Sequence, residues 1–111
     1  MSAALFHPTR EQMRLEHVLE ALANPIRLRV VRTLAEQAES TCGAILPDVS
    51  KSTASHHWRV LRESGLVDQR REGRHLHMRL RREDLDSRFP GLLDSVLRSL
   101  EQQEGDGRDA S

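Results

Sequence analysis

At Gly65 the spacing of apolar residues changes from about 3.6 to 2, which restricts the chain to folds where helices precede a short β-ribbon. Before the glycine, Lys51 to Ser64 places Ala54, His57, Trp58 and Leu61 on one helical face, with Ser52, Ser55, His56, Arg59, Arg62 and Glu63 on the others. A glycine is a natural stop for such a helix because it enters the left-handed region without steric cost. After it, Leu66 to Arg71 and His75 to Leu80 read as two strands joined by a turn at Glu72-Gly73-Arg74. In the second strand Leu76, Met78 and Leu80 face one way, while His75, His77 and Arg79 face the other.

Helical periods account for most of the remainder. Leu15, Val18, Leu19 and Leu22 form a stripe on a helix expected from about Thr9 to Ala23. Asn24-Pro25 then restarts the chain as a second helix to about Gln37, since Asn caps free amides and Pro is tolerated at the first helical position. Its apolar face is Ile26, Val30 and Leu34, widened by Val31 and Ala35, with Arg27, Arg29 and Arg32 expected to point elsewhere. Thr41 to Leu46 leaves room for a short helix ended by Pro47, after which Asp48-Val49-Ser50 makes a tight connection and Ser50 caps the next helix.

A short turn is expected at Glu83 to Asp86, then a last helix from about Pro90 carrying Leu92, Leu93, Val96, Leu97 and Leu100. That stripe is generous for a terminal helix and suggests a partner surface. Residues 1–8 read as a flexible N-terminus, and Glu101 to Ser111, with little to bury, as a disordered tail. Residues 9–100 are thus expected to form one domain, mainly α with a small β-hairpin. The aromatic residues, Phe6, Trp58 and Phe89, are too few to dominate a core, which favours helices packed by Leu, Val, Ile and Ala.

The formal net charge is zero, which for the whole chain argues against a polyanionic partner. Its distribution argues otherwise. Between Lys51 and Arg82 there are nine basic residues against three acidic ones, so the middle third carries a strongly positive face. Two short helices joined by a tight turn and followed by a basic hairpin form a device for reading duplex DNA, with the second helix entering the major groove. Lys51, Ser52, Thr53, Ser55, His56 and Arg59 carry suitable donors and acceptors for phosphates or base edges, and the small residues at the helix start permit close approach. His57 and Trp58 share the face of Leu61 and read as packing.

Other classes find little support. No glycine-rich phosphate loop, HExxH or recognisable nucleophile context is present, so an enzyme is not expected. Cys42 is the lone cysteine and reads as a small buried hydrophobe. Nothing in the sequence resembles a membrane span or secretion signal, and a cytoplasmic protein is expected.

Ala23-Asn24-Pro25-Ile26-Arg27-Leu28 and the stretch Ser52 to Val67, followed by the charged turn Arg70-Arg71-Glu72-Gly73-Arg74, resemble signature segments of the ArsR/SmtB family of bacterial regulators. The resemblance spans roughly residues 10 to 100. It implies a winged helix-turn-helix of order α-α-α-α-β-β-α, a homodimer formed through the first and last helices, a pseudo-palindromic double-stranded DNA operator and, by analogy, repression. The dimer surface would then draw on Leu15, Val18, Leu19, Leu92, Leu93, Val96 and Leu97, and the wing contacts on Arg70, Arg71, Arg74 and His75.

Two metal sites common among such relatives are missing: Thr41 to Leu46 holds a single thiol, and Pro90 to Leu100 contains no histidine. If no cofactor is required, the signal could come from a partner regulatory protein, or the domain could act as an interaction module. If a metal is sensed, histidine and carboxylate ligands favour nickel, zinc or cobalt. The candidates are His7 with His17 and Glu16, or His75 with His77, although the latter two also suit a DNA-facing strand.

Overall fold

A computed structural model describes residues 5–109, with side chains as far as Glu104. The expected first helix is broken in two. A single 3-10 turn at Arg10–Gln12 is held by reciprocal bonds, in which the Gln12 N–H donates to Thr9 Oγ1 at 3.2 Å and the Thr9 N–H to Gln12 Oε1 at 2.9 Å. Met13 is then extended, with its side chain buried and its carbonyl accepting from Arg88 Nε, and α1 begins only at Leu15, running to Leu22. Burying Met13 in the core is what interrupts the helix.

Helix α2 spans Pro25–Glu36, and Asn24 Oδ1 accepts from the amides of Ile26 and Arg27 at 2.9 and 3.2 Å. Strand β1 is Ser40–Thr41, α3 is Cys42–Ile45 and α4 is Lys51–Ser64. Ser50 caps α4, and Gly65, at φ 93°, ends it in the left-handed region.

Strands β2 (Val67–Glu72) and β3 (His75–Leu80) form the wing, with Glu72 opposite His75. The connecting turn is the two-residue Gly73-Arg74, with Gly73 at φ 61°, which suits the twist of a hairpin. The sheet has three strands in the order β1-β3-β2, all antiparallel, and Thr41 pairs with His77. Helix α5 (Arg82–Arg88) and helix α6 (Leu92–Asp109) complete the chain.

The order α-α-β-α-α-β-β-α-α is therefore the expected winged helix-turn-helix with two additions, β1 and α5. Helix α6 also runs through most of the segment whose composition suggested a disordered tail, and Arg32 of α2 pairs with Glu104 there. Of the N-terminal residues expected to be flexible, Met1 to Ala4 lie outside the described residues. The next ones are tethered: the Phe6 carbonyl accepts from Arg62 Nε and the Pro8 carbonyl from Arg81 Nη1.

The core lies between α1, α2, α4 and the inner face of the sheet, where Val18, Val30, Val31, Leu61, Leu66, Val67 and Met78 are fully buried, with Leu85 and Leu93 closing it from α5 and α6. Among the described residues, no helix is long and apolar enough to cross a membrane.

Candidate nucleic-acid interface

Helix α4 has two chemically distinct sides. Ala54, His57, Trp58 and Leu61 are buried, whereas Lys51, Ser52, Thr53, Ser55, His56 and Arg59 are exposed. Ser50 Oγ accepts from the Thr53 amide and donates to Thr53 Oγ1 at 3.0 Å, so the Thr53 hydroxyl proton is left to donate outward. After Lys51 the exposed side carries hydroxyls, then an imidazole and a guanidinium, and its serines and threonine are short enough to let a duplex approach closely.

A buried polar contact fixes this helix against α1 and α2. Arg27, expected to face solvent, is buried instead: Nε donates to the Ala21 carbonyl at 2.6 Å, Nη2 to the Glu20 carbonyl at 3.3 Å and Nη1 to His57 Nδ1 at 3.1 Å. It satisfies carbonyls at the C-terminal end of α1, where a cation is also favoured by the helix dipole. Burial, followed by the charge of Arg27 and of neighbouring His56, holds the His57 pKa below its usual value.

The wing likewise separates residues adjacent in sequence. On β2, Val67, Gln69 and Arg71 share the face of Leu76 and Met78, towards α4; Asp68, Arg70 and Glu72 share the face of His77 and Arg79. A cleft of about 620 Å³ opens between α3, α4 and the wing, and Lys51, Ser55, Arg71, Arg74 and His75 line it above the buried Trp58. Of the ten residues assigned to DNA from sequence, all but Arg70 are exposed.

Arg70 is drawn away. Its Nε donates to Glu72 Oε1 at 2.8 Å and its Nη2 to Glu39 Oε1 at 2.7 Å, and these two carboxylates raise its pKa further above the usual value. Arg62 is similarly occupied, donating to Gln69 Oε1 at 2.6 Å.

The histidines singled out as candidate ligands sit in different settings within the protomer. His7 donates from Nδ1 to the Leu5 carbonyl and accepts at Nε2 from the Gln69 amide at 3.0 Å, so both ring nitrogens are engaged, while His17 is exposed on α1. Among the described residues, the group whose ligand atoms come together is Glu39, Glu72 and His77, all within 4.8 Å of one another. His75 is not part of it. No motif marks Glu39; it reaches His77 because β1, which begins at the next residue, pairs with β3.

Cys42 is buried, accepts a weak hydrogen bond from Gln69 Nε2 at 3.6 Å, and has its thiol pKa pushed up by burial, the setting of an inert side chain. Of the apolar residues assigned to a dimer surface, Leu15 and Leu19 are 45% and 47% exposed, and Leu92, Val96 and Leu97 are half-buried. Val18 and Leu93 belong instead to the protomer's own core, at 0% and 2% exposure, and have no surface to offer a partner.

Comparison with known proteins agrees with this architecture. A family model described as a helix-turn-helix domain matches residues 22–70. An uncharacterized HTH-type transcriptional regulator of Bacillus subtilis, YceK, is 33% identical over 89 residues, 78% of this chain and 88% of that protein. The transcriptional repressor SmtB homolog of Synechocystis is 38% identical over 63% of this chain, which spans about half (54%) of that protein's length. The crystal structure of the transcriptional repressor BigR from Xylella fastidiosa superposes with a TM-score of 0.55 at 31% identity, covering 68% of this chain and 85% of that one.

Proposed function

The chain belongs to the ArsR/SmtB family of helix-turn-helix transcriptional regulators, a DNA-binding regulator and not an enzyme, and from that membership we propose that it represses transcription as a homodimer on a pseudo-palindromic operator. Helix α4 enters the major groove. Arg59 and His56 read base edges, Lys51, Ser52, Thr53 and Ser55 position the helix on phosphates, and Arg71, Arg74 and His75 of the wing hold the adjoining backbone.

The observation that carries this reading is the exposed side of α4. Six polar residues stand clear of the fold, while His57, Trp58 and Leu61 lock the opposite side into the core. The exposed Leu15 and Leu19, one turn apart on α1, support a two-fold partner surface together with the half-buried residues of α6.

Titration onto DNA from the region upstream of its own gene, beside random DNA, tests the division of roles. Arg59→Ala and His56→Ala should weaken operator binding more than non-specific binding, whereas Arg74→Ala should lower both and reduce the salt slope by about 1. Equal losses on operator and random DNA for all three variants would remove the assignment.

A further inference from the structure

We propose that Glu39, Glu72 and His77, on the wing face turned away from α4, form a divalent-cation site of the zinc, nickel and cobalt class, and that the bound ion displaces Arg70 from its two carboxylates. The site itself stands on the geometry of the wing; only its use in regulation rests on the operator reading above.

His77 lies between the two acids, with Nδ1 3.1 Å from Glu39 Oε1 and Nε2 3.7 Å from Glu72 Oε2. An imidazole flanked by two carboxylates is a donor set for borderline cations, since imidazole suits zinc, nickel and cobalt and the carboxylates complete a nitrogen-oxygen shell. With metal–ligand bonds near 2.0–2.1 Å, tetrahedral ligand atoms stand roughly 3.3 Å apart. One ligand atom from each residue already lies within 4.8 Å of the others; the ion takes one ring nitrogen of His77, and the carboxylate that now faces the other nitrogen swings across to join it, with water in the remaining position.

The charges favour an ion. Arg70 neutralises only one of the two carboxylates it touches, leaving the cluster with one uncompensated negative charge. The nearby Arg79 guanidinium is paired with Asp68 at 3.4 Å. An incoming dication takes the oxygens that Arg70 now holds and cancels the charge of both carboxylates. The ligating ring nitrogen gives up any proton it carries, and Arg70 remains protonated and becomes free to turn towards a phosphate. Metal and guanidinium are thus competitors for the same carboxylate oxygens.

Calorimetric titration of the chelator-stripped full chain with zinc chloride, without DNA, tests the proposal, with cobalt absorption as a second readout of the ligand set. The expected result is one ion per protomer, a loss of at least tenfold in affinity for His77→Ala and for Glu39→Gln, and a severalfold gain for Arg70→Ala because the competitor is gone. These side chains lie at the surface, and far-ultraviolet circular dichroism checks that each variant is folded. No binding by the wild type, an unchanged affinity in His77→Ala, or an Arg70→Ala variant that binds no more tightly would each overturn it. Failure of operator binding in a chain that still shows this metal pattern would count against the proposed function alone.

Discussion

Arg27 Nη1 donates a hydrogen bond to His57 Nδ1 across 3.1 Å, joining α2 to the buried side of the helix that carries the exposed polar face. The contact requires a free lone pair on the imidazole, and the same guanidinium closes two carbonyls at the end of α1. Three helices therefore depend on one buried cation, and the orientation of α4 is set partly by a neutral histidine.

Arg27→Ala leaves the Ala21 and Glu20 carbonyls and His57 Nδ1 without their partner in a site that water reaches poorly. A loss of about 2 kcal/mol in folding stability is expected, read as a lowered urea midpoint with an unchanged m-value. An unaltered midpoint would mean that the guanidinium contributes nothing net.

Stability should fall as the solution is acidified through the histidine range. The unfolded chain takes up a proton at His57 near its ordinary value of 6.5, while the folded chain resists, because burial and then the charge of Arg27 depress the folded pKa. The contribution is fully present above about pH 6.5 and is lost as the pH falls from there through the depressed folded value. His57→Gln should flatten this part of the profile of melting temperature against pH; an identical slope in the variant would assign the acid sensitivity to other groups.

Helix α4 was legible from residue types alone because both its ends carry local signals, Ser50 as cap and Gly65 as stop, and β3 because Leu76, Met78 and Leu80 alternate cleanly. Strand β1 was not, since two residues carry no period; yet that strand brings Glu39 to His77. The apolar stripes predicted which faces are dry but not what covers them: Val18 and Leu19 are neighbours, the first inside the protomer and the second half-exposed. Arg27 reads as solvent-facing in the sequence because its partner on α4 lies 30 residues away and no spacing rule connects them. Sequence adjacency groups Arg70 with Arg71 on the wing, although the two-residue period of a strand sends them to opposite faces.

Gly65 sits at φ 93°, and a Cβ there would lie 2.7 Å from Met13 Cγ. Gly65→Ala therefore combines left-handed strain with displacement of a side chain that is 1% exposed, and should cost about 2–3 kcal/mol. Thermal unfolding checks this: a loss of about 1 kcal/mol would leave the left-handed strain alone, with Met13 moving aside, and a change under about 0.5 kcal/mol, the scatter of neutral surface substitutions, would contradict both contributions.

Leu19→Glu should give a folded monomer, because Leu19 is 47% exposed and the protomer core does not need it. Sedimentation velocity reports the assembly state and circular dichroism the fold. Operator affinity should drop with the loss of the second half-site; a persistent dimer would place the interface elsewhere.

If two copies of α4 read a two-fold DNA site, selection from a pool of random duplexes, followed by sequencing of the bound fraction, recovers that symmetry. The expected result is enrichment of an inverted repeat whose half-sites are about one helical turn apart, with the enriched bases lost when Arg59→Ala is used for the selection. A pool that returns no motif, or a single half-site without its mirror image, would contradict it.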